Sequence, residues 1–196
     1  NFSAIADDTT RESLIICLNE CYRWEMLDAR TWLNLLVAAL PTEHNALIAS
    51  TMCSFLTSPM LRIATTVDET ALLDIAERHA LTSCRRQLLT ILAHAAISTE
   101  ATERIYHIWS DGSHPQLNEM DYMSMALELA VRMPEERDNI IATQRERITN
   151  PDRIRQFDYV ARATVADPEA LDALFEELLE PENRRTEPWA ASALAL

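Results

Sequence analysis

The chain has 196 residues, 48% of them apolar, enough to close a core without disulfide or metal staples. Its formal net charge is −14, and all 17 basic residues are arginine. Such a surface repels phosphate backbones and anionic lipid, so neither nucleic acid nor membrane is expected as a partner. No run approaches the ~20 apolar residues of a spanning helix.

Caps and prolines place the helices. Asp7, Asp8 or Thr9 opens the first, which runs to about Glu25. Asp28 caps the second, DARTWLNLLVAAL, which stops before Pro41. Thr42 is expected to start the third, through NALIASTMCSFL, with a short turn following at SPMLRIA. Asp68 is expected to cap DETALLDIAERHAL, and a further helix covers CRRQLLTILAHAAI. Ser98 or Thr99 starts TEATERIYHIW, and Gly112 terminates it. Asn118 caps NEMDYMSMALELAVR.

A rhythm then sets in: MPEE, NPDR and DPEA, with prolines at 134, 151 and 168. Proline suits the first helical position because its missing N–H has no partner there, and the following acid faces the positive end of the macrodipole. Asn150 and Asp167 are good N-caps; Met133 is not. Two such helices make a repeat of about 34 residues, a helical-hairpin solenoid unit. Gly112 is the only glycine, and β-branched alternation is absent. Hairpins and bulges need residues at positive φ, so the expected class is all-α.

The faces follow from periodicity. Leu171, Leu174, Phe175, Leu178 and Leu179 form an amphipathic stripe, expected to dock against neighbouring helices. In DYMSMALELAVR few positions are polar, so that helix should be central, with a Glu128–Arg132 pair on one row. Met120, Met123 and Met125 read as packing filler in preference to a soft binding groove. Glu176, Glu177 and Glu180 crowd the end of the acidic helix, where negative charge is unfavourable. Pro181 ends that helix, and Arg184 and Arg185 stand close enough to offset the charge.

Catalytic motifs are missing. One glycine cannot build a phosphate loop, and neither GxSxG nor HExxH occurs. Cys17 and Cys21 share one helix face; half a metal site needs a second ligand pair that the sequence lacks, so buried thiols are the expectation. His79 and His94 read as hydrogen-bonded core or boundary residues, and His107 as a weaker candidate for groove lining. The arginine cluster Arg145, Arg147, Arg153, Arg155 and Arg162 has two readings. It either pairs with acidic helices or forms a positive rim that takes a carboxylate or a partner domain.

ITNPDRIRQFDYV, followed by ADPEALDALFEELLEPENRRTEPWAASAL, resembles the C-terminal helical domain of bacterial aminopeptidase N-type zinc metallopeptidases. The matching positions are Asn150, Pro151, Asp152, Arg153 and Phe157, then Asn183, Arg184, Glu187 and Trp189. Upstream, DDTTRESLIICLNECYRWEML, LPTEHNALI and DYMSMALELAVR are similar to the family's opening, third and central helices. Glu12 departs from the family's glycine, and the third helix lacks its Trp near Ser54–Phe55.

The resemblance implies an α-α superhelix, a HEAT/ARM-like solenoid of roughly 10–12 helices in antiparallel pairs. Residues 1–196 would be one helical-repeat domain, a C-terminal fragment of a longer chain. It also implies that zinc and the catalytic acids belong to a domain upstream, leaving this chain itself non-catalytic and without a cofactor. Its partners would be that catalytic domain and the peptide substrates from which the parent enzyme removes N-terminal residues. This domain would enclose the active-site chamber and restrict access. Arg153, Arg155, Asn183, Arg184, Glu187 and Trp189 are the candidates for domain contact or chamber lining. The last four could instead hold the final repeats together. The compartment, cytoplasm or periplasm, stays open. The alternative is a free-standing helical-repeat scaffold for protein partners.

Overall fold

A computed structural model describes residues 2–196. Among the described residues there is no strand, and the chain is all-α. Twelve helices follow in order: α1 (Asp8–Arg23), α2 (Ala29–Ala39), α3 (Ala46–Ser54), α4 (Thr57–Ile63), α5 (Thr66–Arg78) and α6 (Thr82–Ala95), then α7 (Thr99–Asp111), α8 (Glu119–Arg132), α9 (Arg137–Arg147), α10 (Pro151–Ala161), α11 (Pro168–Leu179) and α12 (Glu187–Leu194).

Most starts are set by local chemistry. The side chains of Asp7, Asp28, Asn118, Asn150 and Asp167 accept first-turn N–H groups of α1, α2, α8, α10 and α11. Ser98 Oγ accepts from Ala101 N at 3.3 Å and opens α7. Gly112 ends α7 at φ +66°, the left-handed conformation that suits glycine.

Four expected details differ. Asn45, not Thr42, caps α3, because Leu40–Thr42 closes first into a 3-10 turn. SPMLRIA lies in a true helix, α4, whose Pro59 sits in the first turn, where a missing N–H is harmless. Thr65 caps α5, and Asp68 is the third-position acid of its capping box. Pro134–Glu136 forms a turn and α9 starts only at Arg137, since Met133 offers no side-chain acceptor. The 18 residues Ala46–Ile63 are also apolar enough to cross a membrane, contrary to the sequence reading. They break into α3 and α4 and bury Ile48, Met52, Leu56 and Met60.

The helices fall into two compact units. The first comprises residues up to Ile108 with His114–Gln116. Here α5 packs on α6, α3 on α6 and α2 on α4. Trp32 is fully buried between Tyr22 and Phe55, with ring centroids 6.5 and 6.3 Å away. Each fully buried large side chain contributes roughly 1.5–3 kcal/mol. Polar ties join the helices. Arg11 donates to the buried Glu43 at 3.0 Å, and Arg30 to Asp68 at 2.8 Å. Glu69, fully buried, accepts Ile97 N at 2.9 Å, Ser98 N at 3.1 Å and the Ser98 hydroxyl.

The second unit comprises Trp109–Ser113 and Leu117–Leu196. Its centre is α8, which buries Tyr122, Met123, Met125, Ala126, Leu129 and Ala130. Glu128 and Arg132 pair at 3.4 Å as expected, while Met120 is 40% exposed. Trp109 Nε1–H donates to Gln144 Oε1 at 2.8 Å, both side chains being buried.

Candidate interaction surface

The acidic helix α11 meets its neighbours along one edge only. Leu174 and Leu178 are buried in a cluster with Ala190, against Tyr159 and Ala163. On the other edge Leu171, Phe175 and Leu179 are 36, 53 and 51% exposed. The expectation that the whole stripe docks therefore fails for three of its five residues. The buried positions of α12 are Ala190 and Ala193, and Ala190 joins the cluster of Leu174 and Leu178. A groove of about 400 Å³ is lined by Val131, Val165, Leu171, Phe175 and Leu194 among others. Asp172 on its wall and the neighbouring Glu169 and Glu176 make no ion pair among the described residues.

The joint between α11 and α12 fixes this groove. Asn183 Nδ2–H donates to Glu177 O at 3.0 Å, and Arg184 to Leu179 O at 3.3 Å, satisfying carbonyls at the end of α11. Tyr159 O–H donates to Asn183 O at 3.1 Å, and its ring lies 5.9 Å from that of Trp189. The structure thus brings Asn183 and Trp189 together around Tyr159, while Arg184 holds the end of α11. Glu187 is the exposed first residue of α12. Arg153 and Arg155 stand elsewhere, on α10. Tyr159 was not singled out by the sequence; an aromatic 24 residues before Asn183 carries no local signal of the bond.

The arginine cluster is spent on neighbours. Arg145 binds both oxygens of Asp158 at 2.8 and 3.1 Å, which raises its pKa through that hydrogen bond. Arg153 pairs with Glu119 at 2.6 Å, Arg155 with Asp152, and Arg162 with Glu177 at 2.6 Å. Arg147 donates to Trp109 O and Ser110 O, both at 2.8 Å, with its guanidinium 5.0 Å from the Trp109 ring centroid. Each positive charge already has an acceptor. The paired reading holds.

The first unit has grooves of its own. One of about 440 Å³ is lined by Pro41, Asp74, Ile75, Arg78, His79 and Ala80. Asp74 is paired with Arg78 at 2.8 Å. His79, 5% exposed, donates from Nε2 to Leu40 O at 2.9 Å and accepts Leu81 N–H on Nδ1 at 3.1 Å, a tautomer these partners assign. His107 is exposed. Cys17 is exposed and Cys21 half-buried, so the expectation of two buried thiols fails. Among the described residues no three His, Cys, Asp or Glu side chains converge to hold a metal ion.

Among the described residues the protein is all-helical, and α11 leaves an apolar edge exposed. No family model, curated protein or solved structure matches the chain.

Proposed function

We propose that the chain is a non-catalytic C-terminal domain of a zinc aminopeptidase, and that the open face of α11 and α12 docks on the catalytic domain of the same polypeptide. The uncovered stripe Leu171, Phe175 and Leu179 carries this reading: a face patterned for burial lacks a cover within the described residues. The choice of partner rests on the resemblance read in the sequence between Asn150 and Trp189. In this reading the helices stack as a HEAT/ARM-like superhelix that encloses the active-site chamber and restricts peptide access. Zinc would be held by residues upstream, and no step of the chemistry runs through this chain. Asn183, Arg184 and Trp189 are positioning residues that hold the docking helices, with Tyr159 as the anchor of Asn183 and Trp189. Glu187 opens α12 beside them, while Arg153 and Arg155 remain candidate contacts apart on α10.

The same open face supports a second reading, a free-standing helical scaffold whose groove takes a protein partner. One experiment separates the two. The natural polypeptide carrying these residues is purified and assayed for zinc and for hydrolysis of aminoacyl p-nitroanilides. The first reading expects an HExxH sequence upstream, bound zinc and turnover, with none from the 196-residue chain alone. Turnover by this chain after chelation and gel filtration overturns it. So does a natural polypeptide that lacks HExxH, which leaves the scaffold.

A further inference from the structure

We propose that Cys53 and Cys84 form an oxidative modification site, closing to an intramolecular disulfide when a hydroperoxide enters the first unit. Their sulfurs lie 3.6 Å apart, one on α3 and one on α6, and both residues are fully buried. A disulfide requires about 2.05 Å, so the sulfurs must approach by roughly 1.5 Å. Side-chain rotation and a small shift between two packed helices supply that. No other sulfur pair is in contact among the described residues.

The two thiols are not equivalent. Cys84 sits in the first turn of α6, and its helix has no side-chain cap there. Either thiol can donate in the hydrogen bond between the two sulfurs; with Cys53 as the donor, that bond lowers the Cys84 pKa. That same bond, with burial, pushes the Cys53 thiol up. Both effects, and the positive end of the helix, make Cys84 the nucleophile.

Two steps follow. The Cys84 sulfur attacks one peroxide oxygen; the S–O bond forms, the O–O bond breaks, and the Cys84 proton leaves with the other oxygen as water. The Cys53 sulfur then attacks the sulfenic sulfur; the S–S bond forms, the S–O bond breaks, and the second water carries away the Cys53 proton. The thiol pair loses two electrons and the peroxide gains them. Both sulfurs being buried, hydrogen peroxide enters through local opening of the first unit, and bulkier thiol reagents are excluded unless the opening is larger.

The test uses the full chain and, to remove the exposed thiols, its Cys17→Ser/Cys21→Ser variant. Before oxidation, an aromatic disulfide reagent should leave Cys53 and Cys84 untouched until the protein is unfolded. After hydrogen peroxide, alkylation in denaturant should find both thiols lost. Peptide mapping should find them in one linked peptide pair, two hydrogens lighter. The closed loop spans 31 residues, so the Tm should rise by on the order of 5–10 °C and return with dithiothreitol. Thiols that stay alkylatable, sulfinic acid without a cross-link, or disulfide-linked dimers each overturn the proposal.

Discussion

Removing the Glu69 carboxylate should destabilise the first unit more than any surface change. Glu69 is 0% exposed and reaches from α5 to the entry of α7. It accepts two backbone N–H groups and the hydroxyl of Ser98, itself the cap of α7. A hydrogen bond to a charged acceptor contributes roughly 1.5–3 kcal/mol, and an orphaned buried donor costs about 1–3 kcal/mol. The side chain of Ile97 is 77% exposed, so water can reach part of the vacated site and reduce the loss. Glu69→Ala should therefore cost about 3 kcal/mol, and Glu69→Gln, which keeps one acceptor oxygen, about half of that. For a unit of this size that is a fall in Tm of about 10 °C for alanine. Urea and thermal unfolding followed by far-UV circular dichroism would measure both. An alanine variant within 2 °C of wild type, roughly 0.5 kcal/mol, or a glutamine variant as damaged as alanine, would refute the reasoning.

Three further outcomes follow from single contacts. Burial works against the Asp68 carboxylate, but its bonds from Arg30 and Thr65 prevail and hold its pKa below the ordinary 3.8. A depressed carboxylate stabilises the fold above its unfolded pKa, and that contribution is lost as pH falls through the folded value. Asp68→Asn should thus cost roughly 1 kcal/mol at neutral pH, with the gap to wild type closing below about pH 4 in a pH series of urea melts. Gln144→Leu orphans the buried Trp109 indole N–H and should cost about 1–3 kcal/mol in the same melts. Gly112→Ala meets positive φ, and its new Cβ would lie 3.4 Å from Arg147 Cζ. It should cost about 1 kcal/mol by thermal unfolding, and Gly112→Asn less.

What the sequence disclosed divides by the range of the interaction. Caps act over three residues, so Asp7, Asp28, Asn118, Asn150 and Asp167 were legible. Thr65 and Asp68 were confused because a capping box is reciprocal, and either residue alone reads as the cap. SPMLRIA looked like a turn because Pro59 masked the helix around it. The distant ties were invisible: nothing near Glu69 announces Ile97, and nothing near Tyr159 announces Asn183. The stripe on α11 was legible as a pattern, yet periodicity cannot say whether a partner helix is long enough to cover it. Only the fold brings Ala190 beside Leu174 and Leu178 and leaves the far edge open.

The docking claim is tested most directly by amide hydrogen exchange. The natural polypeptide carrying this sequence should be compared with the isolated 196-residue chain. Docking on a catalytic domain predicts slower exchange in residues 168–179 and 187–194 of the natural polypeptide, with α3 and α6 unchanged. Equal exchange in α11 and α12 in both would contradict it.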